Sequence, residues 1–469
     1  MIKRLFNPLD RPVDISSLVF FRIGFGLIMF WEVSRYFYNG WISDLYAKPP
    51  FHFKYPGFEW IVVPNDELLF LLFSLLGVLS IMIMVGLFYK LAATMFFLGF
   101  TYFFLMDASY YLNHLYLACL ISFLIIWMPL NRSFSLDSKF FPQIKSDAAP
   151  IWCLWLLRFQ MGIVYFYGGI AKIESDWLAG KPMAIWLSNR SHYPIVGQYL
   201  TDPVILENLA IFYAWSGMFL DLLVPFALLW RKSRWYGFIF ITLFHIHNHF
   251  FFTIGIFPFF ATLLTTLFFE PDFPKKILSR LRPIFQQKTD SRSEPSEMIK
   301  MVSHKWIHYG ISAYVILQLV LPLRHWMMPG WVNWNEMGHR YSWRMMLRNK
   351  QARMTFFLTN PTTKETRHAH ASDYLHPKQV HTLQYKPEMM IAFAHYLKEL
   401  VRQNVGFEPI VRVAVELSLN GRPHQPFTKP NLDVGKMSYK NIKIIKGGKE
   451  RYQSSQKALE FIKNKKFIN

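Results

Sequence analysis

Nine apolar stretches mark the first 322 positions of this chain: roughly 16–34, 68–88, 91–106, 114–129, 151–173, 209–230, 235–250, 254–269 and 306–322. The clearest, Leu68–Leu87, runs for twenty residues without a charge. About twenty residues at 1.5 Å rise cross the hydrocarbon core of a bilayer, so each stretch predicts a membrane span. The first is interrupted by Arg22. The seventh and eighth are short, parted by polar residues around Asn248–Thr253, and also fit a single re-entrant pair. About nine spans are expected.

Beyond 322 the period changes. Met354–Leu358 and Glu365–Ala369 flank Asn360-Pro361 as a hairpin, and Val411–Leu419 pairs in the same way with the segment after Asn420-Gly421. Between them, Glu388–Asn404 repeats apolar residues at helical spacing (Met389, Ile391, Ala392, Leu397, Leu400, Val401), which predicts an amphipathic helix. The expected architecture is mainly α. A polytopic membrane helical bundle is expected over 1–322, and a small extracytoplasmic α+β domain over 323–469. Its Lys-rich end, Lys457–Lys466, is expected to fray.

Composition sharpens this. Charged residues make up only 17%, against roughly 25% in soluble domains. With 46 Phe and 16 Trp the chain cannot be a disordered one. Cys119 and Cys153, both in apolar stretches, are too few for a disulfide framework or a Cys-based metal site. The net charge of +21 would suit nucleic acid, but the basic residues sort by loop. With the N-terminus in the cytoplasm, inner loops hold eighteen Lys and Arg and outer loops five, the asymmetry of a membrane protein. An odd span count then leaves 323–469 outside. That tail holds 25 Lys and Arg against 10 Asp and Glu, but is too long for the rule to weigh. Membrane lipid is the expected partner, and nucleic acid is not. No small-residue cleavage site follows the first apolar stretch, so no cleavable signal peptide is expected.

An ionisable residue inside a span costs ~3 kcal/mol on insertion scales and asks for a reason. The candidates are Arg22, His114, Arg158, Lys172, Glu174, Asp221, His245, His247 and His249. Snorkelling at span ends, or a pair such as Arg158 with Asp221, is the plain explanation for some. His114, Lys172 and His245 differ: the topology puts all three near the outer face, from three helices distant in sequence, as bundle sites are built. Burial favours the neutral amine of a lysine, which can then act as a base. On a helix His245 and His249 share a face while His247 points away. With no HExxH and no acidic neighbour, no metal is expected.

Five segments taken in order resemble the vitamin K-dependent gamma-glutamyl carboxylase family and its bacterial, HTTM-domain homologues. They are Pro12–Phe30 (PVDISSLVFFRIGFGLIMF), Leu112–Leu117 (LNHLYL), Gly162–Trp177 (GIVYFYGGIAKIESDW), Phe244–Asn248 (FHIHN), and Asn333-Trp334 with Tyr341–Met346 (YSWRMM). The spacing persists to Asn420-Gly421, so the resemblance covers most of the chain.

The resemblance implies a reaction in two halves. A base deprotonates reduced vitamin K, menaquinol or phylloquinol, which reacts with dioxygen and ends as the 2,3-epoxide. The basic oxygenated intermediate takes a γ proton from a Glu in a peptide or protein, and the carbanion captures carbon dioxide. Lys172 matches the family's base, His114 the residue that stabilises the hydroquinone-derived intermediate, and His245 a further histidine near the quinone. Asn113, Arg158 and Asn248 are the implied cofactor-binding neighbours. Tyr341, Trp343, Met345 and Met346 correspond to the region receiving the glutamate. No metal takes part.

Two departures stand out. Animal members carry Lys-Lys where this chain has Ala171-Lys172, and the family's disulfide between membrane and outer parts has no counterpart here. The family's long C-terminal portion, which helps hold a substrate propeptide, is largely unmatched. A bacterial homologue of the inner (plasma) membrane is therefore expected, without propeptide recruitment; the oligomeric state is not legible. Two alternatives stay open: a quinol epoxidase or monooxygenase without a peptide acceptor, and a non-enzymatic quinone- or lipid-binding membrane protein.

Overall fold

Asn65 shows how the helices begin. Its side-chain oxygen accepts a hydrogen bond from the Leu68 amide at 3.1 Å, and Asp66 and Glu67 sit at the electropositive end of the helix that follows. That helix stops at Gly86, whose φ of +66° closes the last turn. The site is crowded as well: a Cβ on Gly86 would lie 2.9 Å from Nη1 of Arg22. Arg22 is itself buried and donates to the carbonyls of Leu130 (2.8 Å) and Phe134 (2.5 Å). It neither snorkels nor pairs with an acid; it ties down a loop.

A computed structural model describes residues 7–193, 197–252, 254–281 and 305–438. The Lys457–Lys466 end expected to fray lies outside them. Each of the nine apolar stretches falls on a helix: α1 Ser16–Tyr38, α2 Asp66–Val85, α3 Tyr89–Leu105, α4 Asn113–Trp127, α5 Ile151–Ile170, α6 Pro203–Leu229, α7 Arg234–Phe252, α8 Phe257–Thr266 and α9 Lys305–Val320. Five are long and apolar enough to cross a membrane: α1, α2, α5, α6, and α9 with its continuation to Met327. Helices α3, α4 and α8 are shorter, and α7 carries three histidines in its second half. Nine full spans are thus not supported. An apolar run identifies a buried helix, but a short one can end inside the protein at membrane depth.

The described chain divides into two compact units. The first comprises Met1–Lys48, Lys54–Ala171 and Ser216–Pro322. It is helical apart from β1 (Pro12–Asp14), which pairs antiparallel with β2 (Ala148–Pro150). Its core is aromatic, with Phe25 against Phe96 and Phe260, and Phe73 against Phe103.

The second unit comprises Pro49–Phe53, Lys172–Trp215 and Leu323–Asn469. Segments 49–53 and 172–215, which precede the expected boundary at 322, group here. Its sheet runs β4–β3–β5–β6, with β3 Lys350–Thr359, β4 Thr366–Ala369, β5 Ile410–Leu419 and β6 Gln425–Pro426, all antiparallel. Both expected hairpins are present. The sheet's spine joins them: β3 and β5 pair over ten residues, from Lys350 opposite Leu419 to Thr359 opposite Ile410. Along β5 the buried side chains Val411, Val413, Val415 and Leu417 alternate, as one covered face demands. The expected amphipathic helix is α10, Pro387–Val405. Its Phe393 meets Phe356 of β3 with ring centroids 5.2 Å apart.

Candidate active site

A tyrosine hydroxyl buried in an apolar helix needs a polar partner. Tyr165 of α5 finds one in His245 of α7, its oxygen 2.7 Å from Nε2. The His245 ring meets Phe257 edge-on with centroids 5.5 Å apart. His114, the second residue of α4, lies 6.5 Å from the same phenylalanine. The first unit thus gathers two of the expected histidines around one ring at the start of α8. His249 meets Phe259 of α8 at 5.0 Å, while His247 stacks on Phe251 of its own helix. The division of faces expected from helical spacing holds. Asn113 is half-buried and accepts from the Tyr111 hydroxyl at 3.0 Å; Asn248, also half-buried, follows His245 by three positions. Arg158 differs from expectation. It donates to the carbonyls of Leu267 (2.7 Å) and Phe269 (2.9 Å) beyond α8 rather than pairing with Asp221.

In the second unit, Lys172 is buried two residues past the end of α5. Its Nζ lies 5.5 Å from the centre of the Trp177 ring. Two indole bonds fix that ring's surroundings: Trp177 Nε1 donates to the Ala214 carbonyl (2.8 Å), and Trp215 Nε1 to that of Leu178 (3.0 Å). Gly180, at φ +67°, allows the closeness, since a Cβ there would fall 2.9 Å from the Ala210 carbonyl carbon. Asp176 is 1% exposed and accepts from both Nη atoms of Arg422 (2.5 Å each), from Asn420 Nδ2 (2.8 Å) and from Lys181 (3.0 Å). Burial pushes its pKa up, but the hydrogen bonds and charge of Arg422 outweigh that and hold it below the ordinary value. Neighbouring Glu174 moves the other way, raised by burial and then by the charge of Asp176.

The expected glutamate-receiving segment is unusual in its backbone. Tyr341, Trp343 and Met346 all have positive φ, at 64°, 53° and 47°, as does Glu336 at 57°. Left-handed backbone at bulky residues is costly and gathers where function holds it in place. Trp343 is fully buried, Tyr341 and Met345 are half-buried, and Met346 is exposed. Arg344 donates to Asn333 at 2.8 Å. Beneath them Glu336 accepts from Arg348 (2.9 Å) and Lys350 (3.1 Å), all three side chains being largely buried. Burial would raise the Glu336 pKa, but the two cations hold it well below the carboxylate range. Burial pushes Lys350 down to about 8. Lys386, 3.4 Å from His339 Nε2, is pushed down to about 7 by burial and then by the charge of Arg340.

Two family models match in succession: HTTM domain over residues 10–273, and vitamin K-dependent gamma-carboxylase, lumenal domain, over 303–446. The chain belongs to this carboxylase family. No solved structure matches it. Membership carries vitamin K-dependent carboxylase function in general, reduced vitamin K as cofactor and Glu-containing substrates. Together with the long apolar helices, it makes this a multi-pass membrane protein.

The first unit's donor set suits such a cofactor. Nδ1 of His245 is buried and has no hydrogen-bond partner, and aromatic rings surround it. A quinol presents what that setting lacks: a flat ring with hydroxyls that both give and take hydrogen bonds. Among the described residues, no group of three or more His, Cys, Asp or Glu side chains could hold a metal ion. Sequence reasoning passed over Tyr165 and Asp176. A polar tip in an apolar helix, and an acid four residues after Lys172, were the available signals.

Proposed function

We propose that the chain couples epoxidation of menaquinol or phylloquinol by dioxygen to carboxylation of Glu in a peptide or protein, with carbon dioxide as the second co-substrate. The succession of the two family models in one chain carries this reading. The bound hydroquinone supplies, on reaction with dioxygen, the strong base that the γ carbon of glutamate requires. Lys172 Nζ takes the first phenolic proton; a phenol with a pKa of roughly 10 keeps it near neutral pH without a base. His245 offers its open Nδ1 to a quinol oxygen while Tyr165 holds Nε2, and His114 stabilises developing negative charge. Asn113 and Asn248 complete the polar contacts, and Arg158 anchors the chain beyond α8. Tyr341, Trp343, Met345 and Met346 receive the glutamate side chain. Apolar helices keep water from competing for a strong base.

The deciding experiment gives purified protein either quinol, labelled bicarbonate and a Glu-containing peptide. Epoxide with label in the peptide is expected. Epoxide with no label would leave a quinol epoxidase, and neither product would leave a quinone-binding protein. The eighteen-to-five loop asymmetry supports a cytoplasmic N-terminus and an extracytoplasmic 323–469, in keeping with a bacterial inner membrane. A reporter active only in the cytoplasm, fused after Asn469, should be silent.

A further inference from the structure

Asp176 sits four residues after Lys172, yet its side chain is fully engaged with residues 420–422. The geometry is a fork on a carboxylate: two guanidinium nitrogens meet two oxygens, the amide of Asn420 adds a third bond, and Lys181 adds a fourth. Such bidentate pairing fixes orientation as well as distance. Asn420 is itself locked, since its Oδ1 accepts from the Asn349 amide at 2.8 Å and its own amide donates to the Asn349 carbonyl at 2.8 Å. Asn349 immediately precedes β3, so the fork rests on the sheet's spine and not on a loose loop. One residue after Asp176, Trp177 presents the ring over which Lys172 Nζ lies. The backbone links the two ends: the Glu174 amide donates to the Lys172 carbonyl at 2.8 Å, and the Trp177 amide to the Glu174 carboxylate at 3.2 Å.

We propose that Asp176 is a positioning residue. Through Arg422 and Asn420 it fastens the turn carrying Lys172 to the β3–β5 end of the sheet, and so sets where the Lys172 amine and its Trp177 platform stand. This rests on the reading of Lys172 as the base. The Asp176 carboxylate accepts its hydrogen bonds from Arg422, Asn420 and Lys181, and acts on the reaction only through the turn it holds. The alternative is a buried ion pair that only holds the fold together, and the two differ in what a small amine can repair.

The test uses the full-length protein in detergent or vesicles, with quinol epoxidation as the rate. Asp176→Asn keeps the size and removes the charge that draws the fork. Displacing a reacting group by about 1 Å can cost ~10²-fold, so epoxidation should fall by that order while KM for the Glu peptide stays within about 2-fold. Hydrogen exchange should quicken at amides 172–180 and stay unchanged in β3 and β5. A small added amine should restore Asp176→Asn to the level it gives Lys172→Ala, and the double variant should be no slower than Lys172→Ala alone. Arg422→Lys, which keeps the charge but loses the fork, should fall between Asp176→Asn and the unsubstituted protein. Wild-type rates in Asp176→Asn beside an inactive Lys172→Ala would overturn the proposal. So would losses that multiply in the double variant, or faster exchange throughout β3 and β5. A fully active Lys172→Ala would instead overturn the assignment of the base.

Discussion

Tyr165 and His245 approach to 2.7 Å, and the hydroxyl meets Nε2 while Nδ1 is left open. A tyrosine donating to Nε2 leaves the ring hydrogen on Nδ1, so the open nitrogen becomes a donor. Tyr165→Phe removes one neutral hydrogen bond, worth about 1 kcal/mol, and should slow quinol epoxidation about 5-fold by that figure. In a His245→Ala background the same change should add nothing, since the partner is already gone. Equal effects in both backgrounds would mean that the tyrosine acts by packing alone.

Lys172→Ala should lower epoxidation and carboxylation together by ~10²-fold or more, the loss typical of a missing general base. Rising pH should restore part of the rate, because hydroxide generates the phenolate. Expression should hold, as the residue lies beyond the last turn of α5. Full epoxidation in this variant would reduce the lysine to an anchor.

Glu336→Gln should destabilise the second unit by about 3 kcal/mol or more, because Arg348 and Lys350 would be left buried without their anion. Chemical denaturation followed by tryptophan fluorescence reads this directly through Trp334 and Trp343. An unchanged midpoint would show that water already screens the cluster.

Lys386 gives a pH signature. Its folded pKa, about 7, lies below the unfolded value near 10.4. Between those values the unfolded chain binds more protons, so stability rises with pH across the window and is lost as pH falls through about 7. Lys386→Met removes the penalty. Its melting temperature should exceed that of the unsubstituted protein at pH 6–7, and the gap should narrow towards pH 9. A constant gap would mean that the amine is solvated.

Helix positions were open to sequence reading because apolar periodicity survives any arrangement of partners. All nine stretches are helical, yet whether α3, α4 and α8 cross the membrane depends on what covers their ends, which no window reveals. The hairpins around Asn360-Pro361 and Asn420-Gly421 were signalled by turn residues, whereas the β3–β5 pairing between them links positions about sixty apart and has no local mark. Arg158 was matched with Asp221 because both carry charge. Its true acceptors are backbone carbonyls, which every residue has and no sequence distinguishes. The left-handed backbone at Tyr341 and Trp343 was hidden for the opposite reason, since bulky residues argue against it.

Arg422 follows Asp176 by 246 residues. At translation rates of about 5–20 residues per second, that separation leaves the acid waiting roughly 12–50 s for its fork. Until then only Lys181 of its side-chain partners has been made, and a single ammonium does not fix a carboxylate's orientation as a bidentate guanidinium does. If Asp176 positions Lys172 as proposed, that amine is set only when residues 420–422 have left the ribosome. On that proposal, a chain that stalls before residue 422 keeps its lysine but lacks the fork that aims it, and such a truncated product is expected to be silent in quinol epoxidation.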